Sequence, residues 1–225
     1  MKTLIAPRLV VPALALVFST LDVASVSAAP PPPPAPTTVY AKAGAFSLTL
    51  GEAFAAKLDQ LNLGLRKVVP GTTGSGNKGA MGFLVIGGVV DMETAEAEVI
   101  SRGGFGFENN DGSVQFMMTN LIAGIEIQTD PNTNVESFVA SVSADLTVKG
   151  DFQGRVALFN VALPGGFQAP LSLSKGNKFA LDDVTVTLTA DAATALNTAF
   201  NLTSGGFAAG DVVGTFSISA VTGKL

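Results

Sequence analysis

No histidine, cysteine or tryptophan occurs among the 225 residues, and tyrosine occurs once. Without histidine the chain lacks the side chain that shuttles protons near neutral pH. Without cysteine it has no thiolate nucleophile, no disulfide and no soft metal ligand. Zinc and copper sites of the usual kind are therefore excluded. Positive charge is also scarce: 13 Lys and Arg stand against 18 Asp and Glu, a net charge of −5. Nucleic-acid binding needs clustered Lys and Arg, so this balance argues against it. What remains for chemistry is hydroxyls, carboxylates, amides and a few basic side chains.

The first residues read as a signal for export. Lys2 and Arg8 open the chain, Leu9–Phe18 is apolar apart from Pro12, and Val26-Ser27-Ala28 supplies the small residues of a cleavage site. The apolar run is too short for a membrane span, which needs about 20 residues. Residues 1–28 are thus expected to be a signal peptide, cut after Ala28. Losing Lys2, Arg8 and Asp22 makes the product one unit more negative than the full chain. With no cysteine after the cut there is no lipid anchor, and no later segment is long and apolar enough to span a membrane. Residues 29–40 follow as a linker, in which Pro30–Pro36 reads PPPPPAP. Such a run is stiff and extended, a spacer or a docking motif by composition.

From Ala41 onward period-two alternation dominates. Phe138, Ala140, Val142, Ala144, Leu146 and Val148 fall on one face, with Ser141, Ser143, Asp145, Thr147 and Lys149 on the other. Ile125 and Ile127, Ala97 and Val99, and Phe216 and Ile218 alternate with polar residues in the same way. Turn-forming clusters separate the runs: Gly103-Gly104, Asn109–Gly112, Asp130-Pro131-Asn132, Pro164-Gly165-Gly166 and Lys175-Gly176-Asn177. The pattern predicts a mainly β domain over residues 41–225, an antiparallel sandwich-like sheet with two short helices, each following a strand. The helices come from a pair of matching segments, FSLTLGEAFAAKLDQL (Phe46–Leu61) and VTVTLTADAATALNTA (Val184–Ala199). Leu58 matches Leu196. Phe54, Leu58 and Leu61 share one helical face, Thr189 is placed to cap the second helix, and Leu196 with Phe200 forms its apolar stripe. Duplication and convergence both account for the match.

Four features carry a resemblance. They are the strand–helix opening, the Ile86-Gly87-Gly88-Val89-Val90-Asp91 strand, the Ser101-Arg102-Gly103-Gly104-Phe105 strand, and the closing strand–helix–strand from Val186 to Ser219. Together they resemble the exported β-rich domains related to the HtaA haem-uptake family. The resemblance covers most of Phe46–Ala220 and implies fold and export. Family members bind haem through a tyrosine, often helped by a histidine. Here the only tyrosine, Tyr40, lies ahead of the domain, and Arg102 stands where a histidine is expected, so no haem ligand carries over.

Candidate chemical sites are sparse. A serine nucleophile needs a base, and Lys149, Lys175 and Lys178 sit near turns, outside any Ser-x-x-Lys helix start. Glu96 and Glu98 share a strand face roughly 7 Å apart, with Asp91 and Glu93 just before them. That is a carboxylate pair of the type used in glycoside hydrolysis, or a solvated acidic face. Hard oxygen ligands for calcium could come from Glu108–Ser113 or Asp130–Asn134, though both are ordinary turn sequences. Gly71–Gly79 (GTTGSGNKG) lacks the Gly-Lys-Ser/Thr ending of a phosphate loop and reads as a loop. Phe116-Met117-Met118 and Gly154–Leu163 are apolar on both faces, as a covered strand or an adaptable apolar surface would be.

These readings point to an exported, non-catalytic binding or cell-surface structural domain. The alternative is a carrier of haem or another apolar small molecule. No catalytic residue, metal ligand or cofactor is expected, and cofactor-binding residues stay unknown. The expected partners are a protein or other component of the cell envelope, with an apolar small molecule as the other possibility; nucleic acid is excluded. The expected location is secreted or extracytoplasmic.

Overall fold

The structure, a computed structural model, describes residues 38–72, 79–113, 115–174 and 176–224. The expected signal peptide, the proline run and the centre of the Gly71–Gly79 loop lie outside these residues. Ten strands and two helices follow in the order β1 (Thr38–Leu50), α1 (Glu52–Gln60), β2 (Leu63–Val68), β3 (Ala80–Asp91), β4 (Ala97–Arg102), β5 (Gly104–Asn109), β6 (Gln115–Thr129), β7 (Glu136–Val148), β8 (Asp151–Val161), β9 (Lys178–Leu188), α2 (Ala190–Ala199) and β10 (Val212–Lys224). Tyr40 therefore belongs to β1, where it pairs with Gly223 on one side and Val89 on the other.

All neighbouring strands are antiparallel. The sheet runs β6-β4-β3-β1-β10-β9-β8-β7, and β7 pairs back onto β6, so eight strands close into a barrel. This corrects the sandwich expectation. Alternation tells which residues face a dry interior, and a sandwich and a barrel ask for the same alternation. Closure rests on long-range pairing. The final joint is short: β8 meets β9 through Phe159↔Leu188, Asn160↔Thr187 and Val161↔Val186 alone.

Gly103-Gly104 is a second departure. The sequence predicts a turn there, yet the chain continues through it. Ala97–Ile100 of β4 and Gly104–Glu108 of β5 pair with successive stretches of the same strand, β6. The two form one strand, kinked at Gly103, whose other edge switches from β3 to β2. Close approach explains the second glycine: a Cβ on Gly104 would lie 1.9 Å from the Met118 carbonyl oxygen. Buried Ser101 steadies the kink by donating its hydroxyl to Leu121 O at 3.2 Å.

The matching segments fold as expected, each as strand, helix, strand. Leu58 and Leu196 are buried at equivalent places. Their caps differ. Thr189 Oγ1 accepts from Ala192 N at 3.1 Å and donates to Ala157 O at 2.6 Å, tying α2 to β8. Gly51 starts α1 without a side-chain cap. Phe54 of α1 packs near Phe107 and Phe207, and Phe200 after α2 packs near Phe116. Elsewhere the loop after β8 tucks Phe167 against Phe138 and donates Leu171 N to Met92 O at 2.7 Å.

Candidate functional site

The interior of the barrel is full. Phe46, Phe83, Phe105 and Phe216 are almost wholly buried, with ring centroids 5.3 Å apart for Phe46–Phe216 and 5.8 Å for Phe83–Phe105. The internal space bordered by Val99, Ala123, Phe179 and Phe216 amounts to about 10 Å³. That is at the lower limit for one water molecule, whereas small-molecule sites run to roughly 300–1,000 Å³. The large buried apolar side chains fill the interior, while charged residues lie outside, beside some exposed apolar ones such as Leu84, Ile86 and Val89.

The larger hollows lie outside this core. One, of about 470 Å³, is a trough on the outer wall across β3, β4, β6, β7 and β8. Its origin can be read from the register. Val89 faces Glu98, Glu98 faces Gly124, Gly124 faces Ser141, and Ile122 faces Ser143 one step along. These positions alternate with buried Val99, Ala123 and Val142, so they point out of the barrel. Gly124 and the two serines are too short to fill the wall they stand on. Longer side chains around them raise the sides: Asp91, Glu96, Glu98 and Glu126 toward one end, Arg155 at the other.

The charges of this trough are unequal. The Arg155 guanidinium is 2.8 Å from an Asp145 carboxylate oxygen and also donates to Asn120 O at 3.2 Å. Its charge is thereby matched. Asp91 is held by its own turn. The backbone N–H of Thr94 and then that of Glu93 donate to it, and they hold its carboxyl below the usual carboxylate range against a smaller opposing push from desolvation. Thr38 adds its hydroxyl at 3.4 Å. Glu96 accepts from the Thr94 hydroxyl at 3.2 Å. The acidic side of the trough is a fixed negative surface with no basic side chain among its lining residues other than Arg155.

This placement decides how the candidate carboxylates read. Glu96 and Glu98 are both exposed, but Glu96 lies just ahead of β4, which begins at Ala97, so the shared strand face expected of the two does not form. They are close neighbours on one side of the trough, whereas a glycosidase pair flanks the scissile bond and needs one acid with a raised pKa. Asp91, the neighbour best placed to assist, is shifted the other way.

In the two turns weighed for calcium, Glu108 pairs with Arg66 of β2, and the aspartates bond within their own turns. Asp111 accepts from Ser113 N at 2.9 Å and Asp130 from Asn132 N at 2.7 Å. Serine hydroxyl and backbone N–H of residue 113 hold Asp111 below the ordinary range, and the backbone N–H of Asn132 does so first for Asp130. Among the described residues no group of three or more Asp and Glu is arranged to hold a metal ion. The buried hydroxyls are also engaged: besides Ser101, Thr222 donates to Asn177 O at 2.8 Å. Lys149 sits in the β7–β8 turn and Lys178 opens β9, both exposed. Phe116 and Met118 are buried core residues, and Met117 lies half-covered on the outer face.

A second hollow of about 470 Å³ lies between α2 and the β7–β8 hairpin, over Leu146, Val148 and Ala199. Sequence reading missed both hollows. Nothing marks Gly124, Ser141 or Ser143 singly, because their shortness matters only once β6 and β7 lie side by side.

No family model and no curated protein matches the chain. Among solved structures, the crystal structure of the C-terminal domain of HtaA from Corynebacterium glutamicum is similar, with a TM-score of 0.53 and 14% sequence identity over 82% of this chain and 99% of that one. The chain has an HtaA-like fold. At that identity the likeness concerns the fold alone.

Proposed function

We propose that the protein is an exported, non-catalytic binding domain that meets its partner on the outer wall of the barrel, at the cell envelope. The carrying observation is the contrast in space: an interior with room for about 10 Å³ and an outer trough of about 470 Å³. The HtaA-like fold and the signal-like residues 1–28 support an extracytoplasmic role. No serine hydroxyl among the described residues is bonded to a lysine amine, which supports the non-catalytic reading over a Ser–Lys hydrolase.

Carriage of haem, the second reading, draws on the family resemblance. It has less behind it. Tyr40 is half-buried on β1 with the Lys42 amine 5.2 Å from its ring centre, and no histidine exists to assist it. Two measurements test the proposal. N-terminal sequencing of the protein recovered outside the cell membrane should begin at Ala29. Titration with haemin should give no saturable Soret shift. Retention of residues 1–28 in the cytoplasm, or a saturating one-to-one Soret band, would overturn it.

A further inference from the structure

The outer trough also indicates the chemistry of what fills it. We propose that it takes an extended peptide segment bearing lysine or arginine at alternate positions. This deepens the reading of the chain as a surface-binding domain and rests on it.

The first argument is spacing. Glu98 of β4 stands beside Gly124 of β6, and Glu126 follows Gly124 two residues on along the same strand face, roughly 7 Å by strand geometry. Alternate side chains of an extended peptide project to one side at the same interval. A peptide lying along β6, over Gly124, would therefore set successive basic side chains against Glu98 and Glu126, with Glu96 bordering the same trough.

Charge is the second. Arg155 is neutralised by Asp145, so the trough offers carboxylates and no competing free cation among its lining residues. Anionic or nucleic-acid partners are repelled by this surface.

Shape is the third. Gly124 and Ser141, paired across β6 and β7, form the low floor of the trough. Val89 and Ile122 supply apolar contact beside it. The barrel strands carry their own backbone pairing here, so recognition is by side chains and not by strand addition.

Gly124 provides a test that leaves charge untouched. A Cβ there lies 3.9 Å from its nearest neighbour, the Ala97 carbonyl oxygen, so a larger side chain extends into the trough without disturbing the wall. The probe is a fluorescein-labelled hexapeptide of alternating lysine and serine with capped termini, read by anisotropy at about 50 and 150 mM salt. The protein should bind it saturably. Gly124→Leu should abolish binding while keeping the melting temperature. The double substitution Glu98→Lys with Glu126→Lys should weaken it about tenfold or more, and the glutamate counterpart of the peptide should not bind. A basic peptide that fails to bind, or one that binds Gly124→Leu as well as it binds the parent, overturns the inference. The latter result would mean diffuse attraction to an acidic protein. Haemin binding and N-terminal position are separate readouts, so failure here is distinguishable from failure of the functional reading.

Discussion

Leu196→Ala tests whether α2 is a structural stopper of the barrel or a decoration on it. Leu196 is 2% exposed and belongs to the central apolar cluster, on a helix that packs against β8 and β6. The substitution removes three carbons, about 2.4 kcal/mol of transfer at roughly 0.8 kcal/mol per methylene. A residual cavity adds to this, and buried leucines replaced by alanine span about 2–5 kcal/mol. The helix is short and joined by loops, so the site can partly collapse, which favours about 3 kcal/mol. For a domain of this length each kcal/mol moves the melting temperature by roughly 2–4 °C, giving an expected fall of about 6–12 °C. Thermal unfolding followed by circular dichroism measures it. A fall below about 2 °C would refute the docking of α2 as a core element. Leu58→Ala, at the matching place on α1 and wholly buried, should cost a similar amount.

Thr189→Ala removes the α2 cap and the hydroxyl bond to Ala157 together; about 1–2 kcal/mol should be lost in chemical denaturation, with no change in the trough-binding assay. Asp211 tests pH linkage. Partial burial raises its pKa, but the hydrogen bond from Lys57 at 2.7 Å, the Ala208 N–H and the Lys57 charge outweigh that and leave the carboxyl lowered. A lowered folded pKa stabilises above the unfolded value near 3.8 and ceases to do so as pH falls through the folded one. Asp211→Asn should therefore cost about 1 kcal/mol at pH 7, and the difference from the parent should shrink in melting curves as pH falls below 3.8. Asp91, Asp111 and Asp130 are shifted in the same direction, so the parent itself should lose stability over that acidic interval.

The strands were legible because each obeys a local rule. Ala140, Val142, Ala144 and Leu146 are buried as their alternation demands. Thr189 caps α2 as its position before an alanine-rich run suggests. Glu98 is exposed between buried Ala97 and Val99 because a strand has period two. Gly103-Gly104 misled for a physical reason. Glycine serves turns and close backbone approaches alike, and only the carbonyl of Met118 lying against Gly104 distinguishes the second use.

The sequence by itself determined which residues are dry, where two helices begin, and that the chemistry here uses neither imidazole nor thiolate. These follow from composition and from neighbours a few positions apart. Closure of the sheet, the full interior and the outer trough were decided by tertiary structure. β1 meets β10, and β4 meets β6, through pairings that no local pattern encodes, and Gly124 becomes the floor of a trough only when Glu98 and Ser141 are set on either side of it.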